Sequence, residues 1–147
     1  MKLVDPEETI VLVTGQPAVN GERDRAFADR LKAEIDARGL GHAYRRAVLV
    51  SDRWYLENEL FQMNPTIAIG GPGVNEASAR FAESLPTVLG REERVFVQAD
   101  FEDEPKRAAL WGVDAAATGD AVDAFMTEGF LDDLLGRVWR FRVETFL

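Results

Sequence analysis

The sequence contains no cysteine and a single histidine, His42. Disulfides, thiolate catalysis, iron–sulfur clusters and cysteine-ligated zinc are therefore excluded, and one histidine cannot supply the ligands of a zinc centre. His42 precedes a predicted strand, at the amino end of the predicted sheet, so we expect it to be a surface or loop residue. The three serines lie in no nucleophile-elbow motif. The sequence therefore predicts no catalytic residue, no metal and no cofactor.

Positive charge is also scarce, because 17 Lys and Arg residues stand against 26 Asp and Glu residues, which gives a net charge of −9. Such a chain repels a phosphate backbone, so no nucleic-acid partner is expected. No apolar run approaches the ~20 residues of a membrane span, so no membrane partner is expected either. The apolar run at 10–13 is too short for a secretion signal. The sequence thus predicts a cytoplasmic protein.

Apolar runs and helical patterns alternate along the first part of the chain, whose 147 residues suggest a single domain over 1–147. Buried strands are predicted at 9–15, 46–52 and 66–71. Helices are predicted at 21–38, where Phe27, Leu31 and Ile35 form one stripe, after Asp52, where Leu56, Leu60 and Met63 share a face, and at 75–85.

The alternation breaks after Pro86. Strands are predicted at 94–100 and 107–114 with only a short loop between them, which favours an antiparallel hairpin. Thr118 is then predicted to cap a further helix. The pattern predicts a three-layer α/β fold with a mostly parallel sheet of about five strands, a C-terminal antiparallel hairpin and a flavodoxin-like order that begins 2-1-3.

Two turns of nearly the same sequence follow the first and third predicted strands. Residues 15–20 read GQPAVN and residues 70–75 read GGPGVN, so four of six positions agree. If the strand order is 2-1-3, both turns border the crevice where ligands bind in open parallel sheets. The structural alternative is favoured, because glycine permits the sharp exit from a strand and Asn20 and Asn75 suit helix N-caps.

Carboxylates and a hydroxyl at the same edge of the sheet complete the set of ligand-binding candidates. Asp52 and Asp114 follow predicted strands and, with the two asparagines, could hold Mg²⁺, although a cap or turn role is favoured. The candidates are Gly15, Asn20, Gly70, Gly71, Asn75, Asp52, Asp114 and Thr118.

The segments TIAIGGPGVN and LWGVDAAATGDAV, two short pieces of the chain, carry a resemblance to a known family. They resemble the α/β domain of archaeal S-layer proteins, in which an apolar strand ends in a GGPxVN turn. From the sequence we expect departures from that family: no secretion signal and no second lattice domain are expected, and the acidic charge is only moderate. The resemblance implies the α/β fold and a non-catalytic function.

The C-terminal segment WRFRVETFL alternates apolar and polar residues, which is typical of a strand. Trp139, Phe141 and Val143 would share one face, which could complete the chain's own sheet or a partner's. We expect a homodimer that involves these three residues. The sequence favours a non-catalytic domain that acts through self-association or protein contact; the alternative is a small-molecule binder or enzyme with its site between residues 15–20 and 70–75.

Overall fold

The computed structural model describes residues 4–16 and 22–139, and in these residues six strands form one sheet. The strands are β1 (Ile10–Thr14), β2 (Ala47–Ser51), β3 (Thr66–Ile69), β4 (Thr87–Arg91), β5 (Val95–Asp100) and β6 (Arg107–Gly112). Their order across the sheet is β2-β1-β3-β6-β5-β4. The helices are α1 (Glu22–Arg38), α2 (Asp52–Glu57), α3 (Glu76–Ser84), α4 (Ala115–Thr127) and α5 (Phe130–Val138).

Helices cover both faces of the sheet, which makes the three layers predicted from the sequence. Helices α1, α4 and α5 pack on one face, and α2 and α3 on the other. In β1, Ile10 and Leu12 face the first layer and Val11 and Val13 the second. A central parallel strand is buried on both sides, which explains why β1 reads as an unbroken apolar run.

Strands β2, β1, β3 and β6 are parallel neighbours, and the predicted adjacency of β1 and β3 is confirmed. Thr14 pairs with Ile69, so Gly15 and Gly70 leave the sheet side by side. The chain leaves β1 for α1 on one face and β3 for α3 on the other. The carboxyl ends of β1 and β3 therefore form a topological switch point, the usual place for ligands in such sheets.

The predicted antiparallel hairpin of β5 and β6 is also confirmed, with Val95 opposite Gly112 and Asp100 opposite Arg107. Strand β6 lies beside β3, and β4 forms the outer edge through antiparallel pairing with β5. The sequence reasoning missed β4. Four of its five residues are exposed, so it lacks the apolar face from which a strand is recognised.

The helix predicted from Leu56, Leu60 and Met63 is wrong in its second half. Helix α2 ends at Glu57. Its C-cap is Asn58, whose Nδ2 donates to the carbonyl of Trp54 (2.7 Å), and a 3₁₀ helix follows over Glu59–Met63. Side-chain amides that bond the last carbonyls compete with continuation of the helix. Leu60 and Met63 are consequently 85% and 64% exposed rather than buried.

No helix in residues 4–16 and 22–139 has both the length and the apolar composition needed to cross a membrane.

His42 lies in the connection between α1 and β2 and is exposed, as predicted. Trp139 follows α5; its indole nitrogen donates to the carbonyl of Glu8 (2.7 Å), and its ring packs against the core on the α1 side. Phe141 and Val143 lie outside the described residues, so the predicted terminal strand and its role in a homodimer stay predictions.

Candidate functional site

The side chain of Asn75 occupies the switch point between β1 and β3. Its Nδ2 donates to the carbonyl oxygens of Val13 (3.0 Å) and Ile69 (2.9 Å), the last part of each strand. Its Oδ1 accepts from the amides of Ala77 (2.9 Å) and Ser78 (3.2 Å) and so caps α3. All four bonds are buried, and the residue is 1% exposed. The amide thus ties two strands to one helix and has no remaining capacity for a ligand.

The two turns also meet directly at Gly15. A β-carbon on Gly15 would lie 1.9 Å from the carbonyl oxygen of Val74, so only glycine fits at this position. Gly70 adopts φ +113°, a conformation that favours glycine. Asn20 lies outside the described residues, so the first turn's asparagine stays a prediction.

Asp52 reinforces the same junction from the end of β2. Its Oδ2 accepts from the amide of Glu76 (2.8 Å), the first residue of α3, and its Oδ1 accepts from Gln16 Nε2 (3.0 Å). A carboxylate at a helix N-terminus is favoured by the helix dipole. Ser51, rather than Asp52, is the N-cap of α2. The first amides of α3 are therefore all bonded by side chains of the chain itself.

We predict that Asn75→Ala destabilises the fold by about 2–4 kcal/mol, because it removes a cap and two buried hydrogen bonds to strand carbonyls. Asn75→Asp retains the capping oxygen but loses both donors, so it should be nearly as harmful although Asp is an equally good N-cap. Urea unfolding measures both variants. Ser51→Ala, which removes a cap alone, is the control and should cost about 1 kcal/mol. An Asn75→Asp protein as stable as wild type would show that the strand bonds contribute nothing.

A cleft of about 270 Å³ opens between the turn after β3 and the turn after β6. It is lined by Asp24, Gly71, Pro72, Gly73, Val74, Trp111, Gly112, Val113, Asp114, Ala115 and Thr118. Gly15 is not among the described residues that line this cleft. The cleft therefore lies on the β6 side of the second turn, whereas the sequence placed a site between the two turns.

The β6–α4 turn supplies one wall of the cleft. Asp114 is the N-cap of α4: its Oδ1 accepts from the Ala117 amide (2.8 Å), and its Oδ2 from Arg94 (3.0 Å). The hydrogen bond from the Ala117 amide has the larger effect and the bond from Arg94 the smaller, and together they hold the pKa of the Asp114 carboxyl below its usual range. The predicted cap at Thr118 is wrong, because the helix begins one turn earlier. Thr118 Oγ1 instead accepts from the Gly112 amide (3.1 Å) and fixes the end of β6.

Asp24, in the first turn of α1, is a buried carboxylate in the lining of the cleft. It is 3% exposed, and its Oδ2 is buried without a hydrogen-bond partner. A β-carbon on Gly70 would lie 2.5 Å from this oxygen, so the glycine makes room for the carboxylate. Burial raises the pKa of the Asp24 carboxyl from its ordinary 3.8 to about 6. At neutral pH the cleft therefore holds a poorly solvated carboxylate.

The sequence reasoning missed Asp24, although a signal was present. Asp24, Ala28, Leu31 and Ile35 follow one another at spacings of four, three and four, so they lie on one helix face. Ala28, Leu31 and Ile35 are fully buried. An acidic residue in line with a buried stripe is unusual, because carboxylates are rarely buried unless they are paired.

The predicted candidates thus fall into two groups. Gly15, Asp52 and Asn75 form the packed junction of β1, β3 and α3, whereas Gly71, Asp114 and Thr118 line the cleft, with Gly70 against Asp24. Within the described ranges, no group of three or more His, Asp or Glu side chains is arranged to hold a metal ion.

We predict that Asp24 lowers stability as pH rises through the interval from about 4 to 6. The folded protein binds this proton more tightly than the unfolded chain, so the stabilisation is present below pH 3.8 and is lost above about 6. The difference corresponds to at most about 3 kcal/mol. Asp24→Asn cannot ionise, so it should gain stability relative to wild type as the pH is raised from 4 to 8.

Urea unfolding of wild type and Asp24→Asn from pH 4 to 8 measures the difference between their free energies of unfolding. The contributions of the other carboxylates are common to both proteins and cancel in this difference. Asp29→Asn, an exposed carboxylate on the same helix, is the control and should give a small difference at every pH. A difference between wild type and Asp24→Asn that does not change with pH would contradict the raised pKa.

Comparison of the chain with models of protein families finds no match, and no curated protein is significantly similar to it. Any functional assignment therefore depends on the geometry of the chain's own residues.

Proposed function

We propose that the chain is a non-catalytic ligand-binding domain whose cleft between β3 and β6 takes a small molecule. The observation that carries the proposal is the buried, unpartnered Oδ2 of Asp24 in the wall of that cleft. A buried polar atom without a partner lowers stability by about 1–3 kcal/mol, more when it is charged. A ligand whose polar or positively charged group lies in the cleft beside the Asp24 carboxyl would recover part of that free energy on binding.

The position and shape of the cleft support the same proposal. It lies beyond the carboxyl ends of parallel strands whose helices leave on opposite faces of the sheet, α3 after β3 and α4 after β6. Apolar surface from Trp111 and Val74 lies beside the few polar groups, as in most small-molecule sites. The cleft contains no pairing of a nucleophile with a base among the described residues, which favours binding over catalysis.

Ligand binding is tested by a nuclear magnetic resonance screen of metabolite-sized cations, neutral compounds and anions against the intact chain. The three tryptophans give an internal comparison, because Trp111 lines the cleft and Trp54 and Trp139 do not. We expect ligands that shift the Trp111 indole signal and leave the other two unchanged.

A variant that adds bulk to the wall should then remove the binding. The β-carbon position of Gly73 has no neighbour within 4 Å, so Gly73→Phe should fold and weaken binding at least about tenfold, or 1.4 kcal/mol. Gly136→Phe, at an equally open position outside the cleft, is the control. If no compound shifts Trp111, or if Gly73→Phe binds as tightly as wild type, the cleft is not the binding site.

Self-association is a second candidate function, favoured by exposed apolar side chains on the α2 side. Leu60 and Met63 are 85% and 64% exposed, and Trp54 beside them packs against Phe61 with ring centroids 4.7 Å apart. Contiguous exposed apolar side chains commonly mark protein contacts. The homodimer through Trp139, Phe141 and Val143 is the alternative contact, and the two surfaces are separable by mutation.

We predict that the intact chain is a dimer in light scattering at micromolar concentration. A chain ending at Trp139 keeps α5 and the bond to Glu8, so its conversion to a folded monomer would assign the contact to the tail. Loss of the dimer in the double variant Leu60→Lys, Met63→Lys would assign it to the α2 side. Leu40→Lys, at a residue 84% exposed elsewhere, is the control. A monomeric wild type would overturn self-association altogether.

The relationship to archaeal S-layer proteins and the cytoplasmic location remain proposals made from the sequence. In the GGPGVN turn that carries the resemblance, the asparagine and the first glycine serve the junction of β1, β3 and α3. Those roles are structural, so the turn supports a shared fold grammar rather than a shared cellular role.

A further inference from the structure

We propose that the cleft selects an organic cation, a flat amidinium or guanidinium group or an ammonium with a small apolar body, which pairs with Asp24 and lies against Trp111. This inference rests on the proposed ligand-binding function and specifies the chemical class of the ligand. It depends on three features of the cleft: the charge of its lining, the aromatic wall and the occupied amides at the helix ends.

The lining carries negative charge only. Asp24 and Asp114 both border the cleft, and no Lys or Arg belongs to its lining in the residues that the structure describes. Arg94 pairs with Asp114 (3.0 Å), whereas Asp24 has no such neutralising partner. A cation that reaches Asp24 therefore forms a charge-assisted hydrogen bond, which is stronger than a neutral one. The net charge of −9 attracts cations to the chain as a whole.

Trp111 gives the cleft an aromatic wall. Its ring stacks on Phe96 with centroids 4.4 Å apart, and its indole nitrogen donates to Gln98 Oε1 (2.8 Å), so the ring is held in place from two sides. A β-carbon on Gly71 would lie 3.7 Å from the ring, so the backbone of the turn passes close to it. Tryptophan is the aromatic side chain that binds cations best.

Anionic ligands are disfavoured in part because several of the helix-end amides near the cleft already donate to side chains of the chain itself. Asn75 and Asp52 occupy the first amides of α3, and Asp114 accepts from the Ala117 amide at the start of α4. Pro72 contributes no amide donor to the turn. A phosphate or carboxylate in this cleft would meet the Asp24 carboxylate, which has no neutralising partner, and Asp114, whose charge is offset by Arg94.

The test compares benzamidine, benzamide and benzoate, which have the same shape but are cationic, neutral and anionic. Binding to the intact chain is measured at pH 8 from the Trp111 indole signal. We expect benzamidine to bind at least about tenfold more tightly than benzamide, as for one hydrogen bond to a charged group, and benzoate not to bind. Butylammonium, butanol and butyrate form a second series for a ligand without a ring.

The variant Asp24→Asn removes the charge and keeps the shape, and it should abolish the preference for benzamidine over benzamide. Asp29→Asn should leave the preference unchanged. If neutral or anionic compounds shift Trp111 as strongly as the cations, or if Asp24→Asn retains the preference, the cation assignment is overturned while the ligand-binding function survives. If no compound of any charge in the wider screen shifts Trp111, both are overturned.

Discussion

The four hydrogen bonds of the Asn75 side chain are the interaction on which the centre of the fold depends. A parallel sheet whose helices leave on opposite faces opens a gap at the switch point, and the strand carbonyls at that gap need partners. One buried amide supplies donors to Val13 and Ile69 and an acceptor to the start of α3. Among the described residues, the Asn75 side chain thereby occupies the switch point between β1 and β3, and the cleft lies on the β6 side of the turn.

The close approach of the two turns also explains how residues of the turn after β3 contact the ends of both β1 and β3. The second turn reaches back so far that the carbonyl oxygen of Val74 occupies the place of a side chain on Gly15. The glycine after β1 is required by the loop after β3, and the asparagine after β3 bonds the last carbonyls of both strands. Residues 15–16 of the first GxPxVN segment and the second segment, residues 70–75, are therefore parts of one packed junction.

The elements that could be predicted from the sequence are those with apolar side chains on both faces, as in buried strands, or along one face, as in amphipathic helices. Strands β1 and β3 are buried on both faces, and their short apolar runs were sufficient to predict them and their adjacency. Strand β4 was missed because an exposed edge strand such as Thr87–Arg91 has no apolar face. The prediction of a helix through Leu60 and Met63 was wrong although an apolar stripe is present in the sequence. Its spacing is helical, but side-chain bonds at Asn58 end the helix before those residues reach the core.

The cleft was harder to predict than the fold, because it is distinguished by Asp24, a single carboxylate in line with the buried apolar residues of α1. A helix that packs Ala28, Leu31 and Ile35 against the sheet gains from a carboxylate at Asp24 the interaction with its own dipole, typically about 0.3–1 kcal/mol. An apolar residue there would avoid the free energy of desolvating an ion. Local departures from the rules of stability tend to occur where a protein binds or reacts, since the unfavourable group acquires its partner from outside. The unpartnered oxygen belongs to a residue that lines the cleft beside the carboxyl ends of β3 and β6, which supports the proposal that a ligand binds in this cleft rather than at the switch point occupied by Asn75.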